Sequence, residues 1–218
     1  MSTLVLVRHG RSTANAAGIL AGRAEGVVLD ETGESQAAKA AARLAALDLV
    51  GIVSSPLERC QQTAAAISKS QSKRVRVGTD RRFTECGYGE WEGRPLRELA
   101  KEPLWKSVQS APSTVTFPGG ESMQAMQDRA LKAIERRREV FETHFGKDAV
   151  WAVVSHGDVI KSILADALGI ELDKFQRIQI NPASISVIRY GDMPQVLATN
   201  TSDGDLSELI TRPTVPQR

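Results

Sequence analysis

The chain's 218 residues, 41% hydrophobic and 25% charged, suffice for one domain with a sizeable core and exclude a wholly disordered or fibrous protein. Its 28 basic and 26 acidic residues leave a formal net charge of +2, too balanced to argue for a nucleic-acid binder. Apolar runs such as Val150 to Val154 are far too short to span a bilayer, no signal peptide is legible ahead of the first strand pattern, and Cys60 and Cys86 make no CxxC pair; a soluble cytoplasmic protein without a membrane anchor is expected.

Leu4-Val5-Leu6-Val7 is a continuous apolar run, as expected for a strand buried on both faces of a parallel sheet. It ends in Arg8-His9-Gly10, and the hydroxyls of Ser12 and Thr13 are placed to cap a helix start. Gly18 to Gly26 reads as loop, the Ala-rich stretch Gly33 to Leu47 as helix, and Leu49 to Ser54 as a second buried strand. Ser55-Pro56 opens a helix at Leu57, and Val75 to Val77 forms a short third strand. From Asp80 to Pro118, glycines and prolines with Trp91 and Trp105 describe an irregular cap with one or two short helices. A long helix then runs from Glu121 to about Phe145, Ala149 to Ser155 is the fourth strand, and Asp158 to Leu168 a helix. Ser184 to Tyr190 and Gln195 to Thr199 close the fold as a strand pair. This alternation predicts an α/β fold, a three-layer α/β/α sandwich with a mostly parallel sheet. One domain is expected over residues 1–201, with the cap at about 80–118 and a flexible tail over 202–218.

Ligands in open α/β sheets bind outside the carboxyl ends of the strands. The first strand ends in Arg8-His9-Gly10, the second leads through Ser54-Ser55-Pro56 to Arg59, and the fourth ends in Ser155-His156-Gly157. Two of the three histidines thus stand at strand ends, each followed by a glycine that would let backbone approach a ligand. Two histidines and two arginines facing one crevice, with helix N-termini pointing in, make an anion site whose simplest ligand is a phosphate. Other phosphate chemistries fall away. There is no G-x-x-x-x-G-K-[ST], no G-x-S-x-G elbow, no anion-cradling loop after Cys60 and no paired acidic residues for two metals. Histidine is left as the nucleophile.

The run Leu4 to Gly10 with Ser12, Thr13 and Asn15 resembles the signature of the histidine phosphatase (phosphoglycerate mutase-like) superfamily. Leu29 to Gly33, Ser54 to Arg59, Glu85 with Gly89-Glu90-Trp91-Glu92-Gly93, Pro118 to Ser122 and Ser155 to Gly157 recur in the family's order, so the resemblance covers nearly the whole chain. It implies that His9 is phosphorylated during turnover. Arg8, Arg59 and His156 would hold the phosphoryl oxygens, Asn15 and Gly157 would lie against the same group, and Glu85 would be the proton donor. It also implies a phosphomonoesterase acting on a small phosphorylated metabolite without cofactor or metal. A phosphoglycerate mutase-type phosphomutase and an α-ribazole-phosphate phosphatase are the alternatives, and a phosphate-binding module without turnover ranks last. The expected partner is a small-molecule ester, with no nucleic acid or membrane; a homodimer is left open.

Two departures from the family pattern stand out. Arg11 occupies a position where many relatives are acidic, and it is expected to add positive charge near the pocket mouth. Asp158 replaces the Asn of glycolytic mutases and would disfavour a second phosphate, although its plainer reading is a helix N-cap. Plainer readings also cover other residues: His144 as a helix C-terminal charge partner, Arg136-Arg137-Arg138 as a solvated face, and Cys86, Trp91 and Trp105 as packing.

Overall fold

A computed structural model describes residues 1–210 of the chain. Strands β1 (Thr3–Arg8), β2 (Leu49–Ser54), β3 (Val77–Thr79), β4 (Val150–Ser155), β5 (Ile185–Arg189) and β6 (Gln195–Thr201) form one sheet in the order β3-β2-β4-β1-β5-β6. The first four are mutually parallel, whereas β5 runs antiparallel to both β1 and β6. Every residue from Leu4 to Val7 is fully buried, because the strand is covered on both faces. Val5 and Val7 pack with Ile52, Ala152 and Val154 against α2 (Glu31–Leu44) and α3 (Glu58–Ser70), while Leu4 and Leu6 pack with Trp151 and Val153 against α6 (Met123–Phe145) and α7 (Gly157–Ala167). The three-layer α/β/α arrangement with a mostly parallel sheet is therefore present.

Register decides where the chemistry sits. Arg8 pairs with Ser155 and Ser54 with Val154, so the ends of β1, β4 and β2 lie side by side. The backbone continues this pairing for one step: His9 N donates to Ser155 O (3.0 Å) and Ser55 N to Val154 O (3.0 Å).

Several elements differ from the sequence expectation. The third strand begins at Val77 rather than Val75, since only residues 77–79 pair with β2. Helix α2 starts at Glu31 because Asp30 accepts from Gly33 N (2.8 Å) as its N-cap. The first part of the tail is docked. Leu206 is 1% exposed in the core beside α2, Arg43 donates to Thr201 O (3.1 Å) and Asp203 O, and α8 (Ser207–Ile210) follows. The rest of that expectation, residues 211–218, lies outside the described residues.

The cap contains two short α-helices, α4 (Leu96–Leu99) and α5 (Pro103–Ser110), and three 3-10 turns. Its entry is anchored by the buried Asp80, which accepts from Arg82 (2.7 Å) and from Arg137 of α6 (3.0 Å). Arg137 is thus not part of a solvated face. Burial pushes the Asp80 carboxyl up, but the arginine bonds dominate and hold it at about 2. A carboxylate with a lowered folded value stabilises above its unfolded value near 4, and that contribution fades as pH falls toward 2. Asp80→Asn should therefore cost about 1–2 kcal/mol at pH 7 and flatten the acid limb of the stability curve, as read by urea unfolding between pH 7 and 2. Parallel acid limbs in the two proteins would contradict this.

Candidate active site

The paired ends of β1 and β4 bring the two motif histidines together, with ring centroids 5.2 Å apart and the planes at 64°. His9 Nδ1 lies 2.7 Å from Gly10 O and so must carry the proton it donates there. His9 Nε2 is then a lone pair, and it accepts from Arg59 Nε at 3.3 Å. His156 is the mirror case. Its Nδ1 accepts from Arg59 Nη2 (3.3 Å), which leaves Nε2–H to donate to Ser55 Oγ (2.8 Å). Arg59, on the first turn of α3, thus stands between two neutral imidazoles. Burial first, then the charges of Arg59 and other neighbours, holds both histidines well below their usual range.

Arg59 is 2% exposed and is fixed by Gly22 O (2.7 Å), while Arg8 donates to Ile180 O (2.6 Å). Each guanidinium keeps one buried nitrogen, Arg8 Nε and Arg59 Nη1, without a partner among the described residues. Buried unpaired donors are rare, and two on adjacent arginines mark a place where an anion's oxygens would be satisfied.

Glu85 comes from the cap. Its backbone carbonyl accepts from Arg23 Nε (2.9 Å) and Arg129 Nη2 (3.1 Å), and Glu121 binds both guanidiniums at 2.7 Å. Its carboxylate accepts from Cys86 N (3.0 Å). Burial, followed by the negative charge of Asp158, raises the Glu85 carboxyl to about 7 despite the pull of Cys86 N, Arg59 and Arg8. Asp158 accepts from the Tyr88 hydroxyl (2.7 Å) and lies 3.7 Å from Lys161 Nζ.

Arg8, His9, Asn15, Arg59, Glu85 and Gly157 all line one cavity of about 460 Å³. His156 is fully buried and reaches the cavity through Arg59 rather than lining it. Asn15 lies in the first turn of α1 (Thr13–Ala17), where its Oδ1 completes a capping box with Ser12 (3.1 Å from Ser12 N).

Three expectations change. Gly10 packs on protein, not ligand: a Cβ there would meet Gly33 O at 2.3 Å, so the glycine lets the strand end abut α2. Arg11 is turned to the N-terminus of α2, where Asp30 (2.7 Å) and Thr32 (2.9 Å) hold it, and it adds no free charge to the cavity. Asp158 is not the N-cap of α7; His156 takes that position, and Asp158 projects from the first turn to Tyr88. Trp91, packed between Trp105 (6.1 Å, 24°) and Phe117 (5.3 Å), is buried as expected, yet both tryptophans also line the cavity. Sequence reasoning gave no role to Ser55, Tyr88 or the segment from Gln176 to Asn181, all of which shape the site. Ser55 had a signal in its strand-to-helix position; the segment had none.

The chain is also similar to known proteins. Residues 4–201 match the family model described as the histidine phosphatase superfamily (branch 1). Phosphoserine phosphatase 1 of Hydrogenobacter thermophilus is 32% identical over 203 residues, covering 90% of each chain. The 2,3-bisphosphoglycerate-dependent phosphoglycerate mutase of Thermoplasma acidophilum is 29% identical, covering 86% of this chain and 87% of its own. The crystal structure of the α-ribazole phosphatase from Shigella flexneri superposes with a TM-score of 0.79 at 24% identity, covering 92% of this chain and 96% of the other, a likeness of fold.

Proposed function

The chain belongs to the histidine phosphatase superfamily, and from that premise we propose that it hydrolyses phosphate monoesters through a phosphohistidine on His9. The observation that carries this reading is the His9 Nε2 lone pair beside two guanidiniums, each with an unpaired buried donor.

In the first half-reaction Nε2 attacks phosphorus as the ester P–O bond breaks, and the Glu85 carboxylic acid gives its proton to the departing oxygen. The transition state needs positioning and charge neutralisation more than covalent help; Arg8 and Arg59 are assigned to the equatorial oxygens, and His156, outside the cavity lining, orients Arg59 through its Nδ1. Holding Nδ1–H on Gly10 O keeps the imidazole oriented throughout. In the second half-reaction the Glu85 carboxylate takes a proton from water, the water oxygen attacks phosphorus, and the P–N bond breaks. Inorganic phosphate leaves with His9 neutral and Glu85 again protonated.

Among the described residues no three His, Cys, Asp or Glu side chains converge as metal ligands, and the mechanism assigns no step to a metal. No helix of the described residues is long and apolar enough to cross a membrane. A cytoplasmic location is supported by the two free, buried cysteines.

The test is a phosphate-release screen across alkyl and aryl phosphates in the presence of a strong chelator, run beside a phosphoglycerate isomerisation assay. Release of phosphate with no isomerisation is expected. Isomerisation without release would make the mutase reading the correct one, and activity restored only by added divalent metal would overturn the mechanism.

A further inference from the structure

The charged groups lining the cavity are few: Arg8, Arg59, Glu85, Asp158 and Lys161. Lys161 is already engaged, 3.7 Å from Asp158 and 2.9 Å from Gln176 Oε1, with its ammonium 5.4 Å from the centre of the Phe175 ring. With Glu85 carrying its proton as the acid, two arginine charges remain, and one phosphoryl dianion matches them. Of the cations on the surrounding loops, Arg11 is held by Asp30 and Arg23 by Glu121, both at 2.7 Å, while Arg97, Lys106 and Arg177, next in sequence to lining residues, do not themselves line the cavity. Away from the five charged lining groups the wall mixes apolar and uncharged polar side chains. Leu20, Leu96, Trp105, Val108 and Ile178 supply hydrocarbon surface, and the amides of Gln109 and Gln179 supply uncharged hydrogen-bonding groups.

We propose that this enzyme selects phosphate monoesters whose organic part is uncharged and largely apolar, and discriminates against esters that carry a second anionic group. The proposal rests on the phosphatase reading above and names the substrate class of that site. Two physical terms point the same way. A second anionic group entering this wall must give up water and finds no unengaged cation lining the cavity to replace it. An uncharged organic group gains by covering the apolar wall, and 460 Å³ lies within the range of small-molecule sites, so it accommodates an ester larger than a three-carbon acid. The two curated relatives compared above are named for phosphoserine and phosphoglycerate, each of which bears a carboxylate; this wall predicts a different preference.

The experiment compares kcat/KM for 3-phosphoglycerate and its methyl ester, which differ in one charge, and for propyl and 2-phenylethyl phosphate, which differ in apolar surface. The methyl ester should exceed the acid by about 10²-fold and the phenylethyl ester should exceed the propyl ester by about 10-fold, the scale of discrimination that pocket contacts supply. Gln109→Arg, which adds a cation to the wall, should narrow the first ratio by raising turnover of the acid; circular dichroism verifies that the variant is folded. Phosphate release from all four esters with either ratio near one or reversed would overturn the substrate class while the phosphatase reading stands. So would a folded Gln109→Arg variant with an unchanged ratio. No release from any ester, nor from nitrophenyl phosphate, would overturn the phosphatase reading and the substrate class with it.

Discussion

His9→Ala should lower kcat for every phosphate ester by at least about 10⁴-fold, a loss on the scale seen when a covalent nucleophile is removed. The reason lies in what the rest of the site can do alone. Arg8 and Arg59 can still hold an anion, but the imidazole lone pair that faces the cavity is gone, because the ring of His156 lies outside the cavity lining. Inorganic phosphate should therefore still bind to the variant, as read by calorimetry, while turnover disappears. The alternative nucleophile, Cys60, is buried with its thiol pushed up to about 12 by that burial, so it supplies almost no thiolate at neutral pH. Retention of more than a hundredth of the wild-type rate in His9→Ala would move the nucleophile elsewhere.

Glu85→Gln carries the second large effect, and its size should depend on the leaving group. An alkoxide needs a proton as the P–O bond breaks, whereas nitrophenolate needs one far less. Removing a general acid costs about 10²–10⁴-fold, so alkyl phosphate hydrolysis should fall by that order. The burst that reports phosphoenzyme formation from nitrophenyl phosphate should fall much less. Burst kinetics are required because the same carboxylate serves the second step, so steady-state rates with nitrophenyl phosphate would also drop. The pH dependence follows from the raised carboxyl: Glu85 is protonated below about 7, so phosphoryl transfer from alkyl esters should decline as pH rises through that value. The nitrophenyl burst should stay nearly flat there. Equal burst losses on both substrate types would assign the proton donor to another residue. Glu85 does not orient Arg81 or Arg82 in the way a purely structural role would require, since Arg82 is bound to Asp80 (2.7 Å) and Glu85 makes no ion pair with either.

Much of this site could be read from strand ends. Arg8, His9, Arg59 and His156 all stand at or just past the carboxyl ends of buried strands, and the parallel register of β1, β4 and β2 brings them together. Apolar runs gave those strands because burial on both faces leaves little room for polar residues. Glu85 was less legible: nothing in the spacing of the cap foretells that Arg23 and Arg129 hold its carbonyl, and only the family resemblance singled it out. The state of Arg11 was misjudged because its partner Asp30 lies in a different element, and the contact forms only where Gly10 and Gly33 allow the two backbones to approach. Asp158 shows the same limit on a smaller scale. A shift of the cap to His156 sends its carboxylate to Tyr88, a partner 70 residues away. The cavity wall from Gln176 to Asn181 has no periodicity to read, since its residues are recruited by tertiary packing alone.

The most direct measurement is rapid base quench of wild-type enzyme turning over a ³²P-labelled ester, followed by peptide mapping of the label at alkaline pH and acid treatment of a parallel sample. A phosphoryl group that survives base, is lost in acid, maps to the peptide containing His9 and is missing from His9→Ala is the predicted result. Label on a serine, a cysteine or His156 instead would contradict the account.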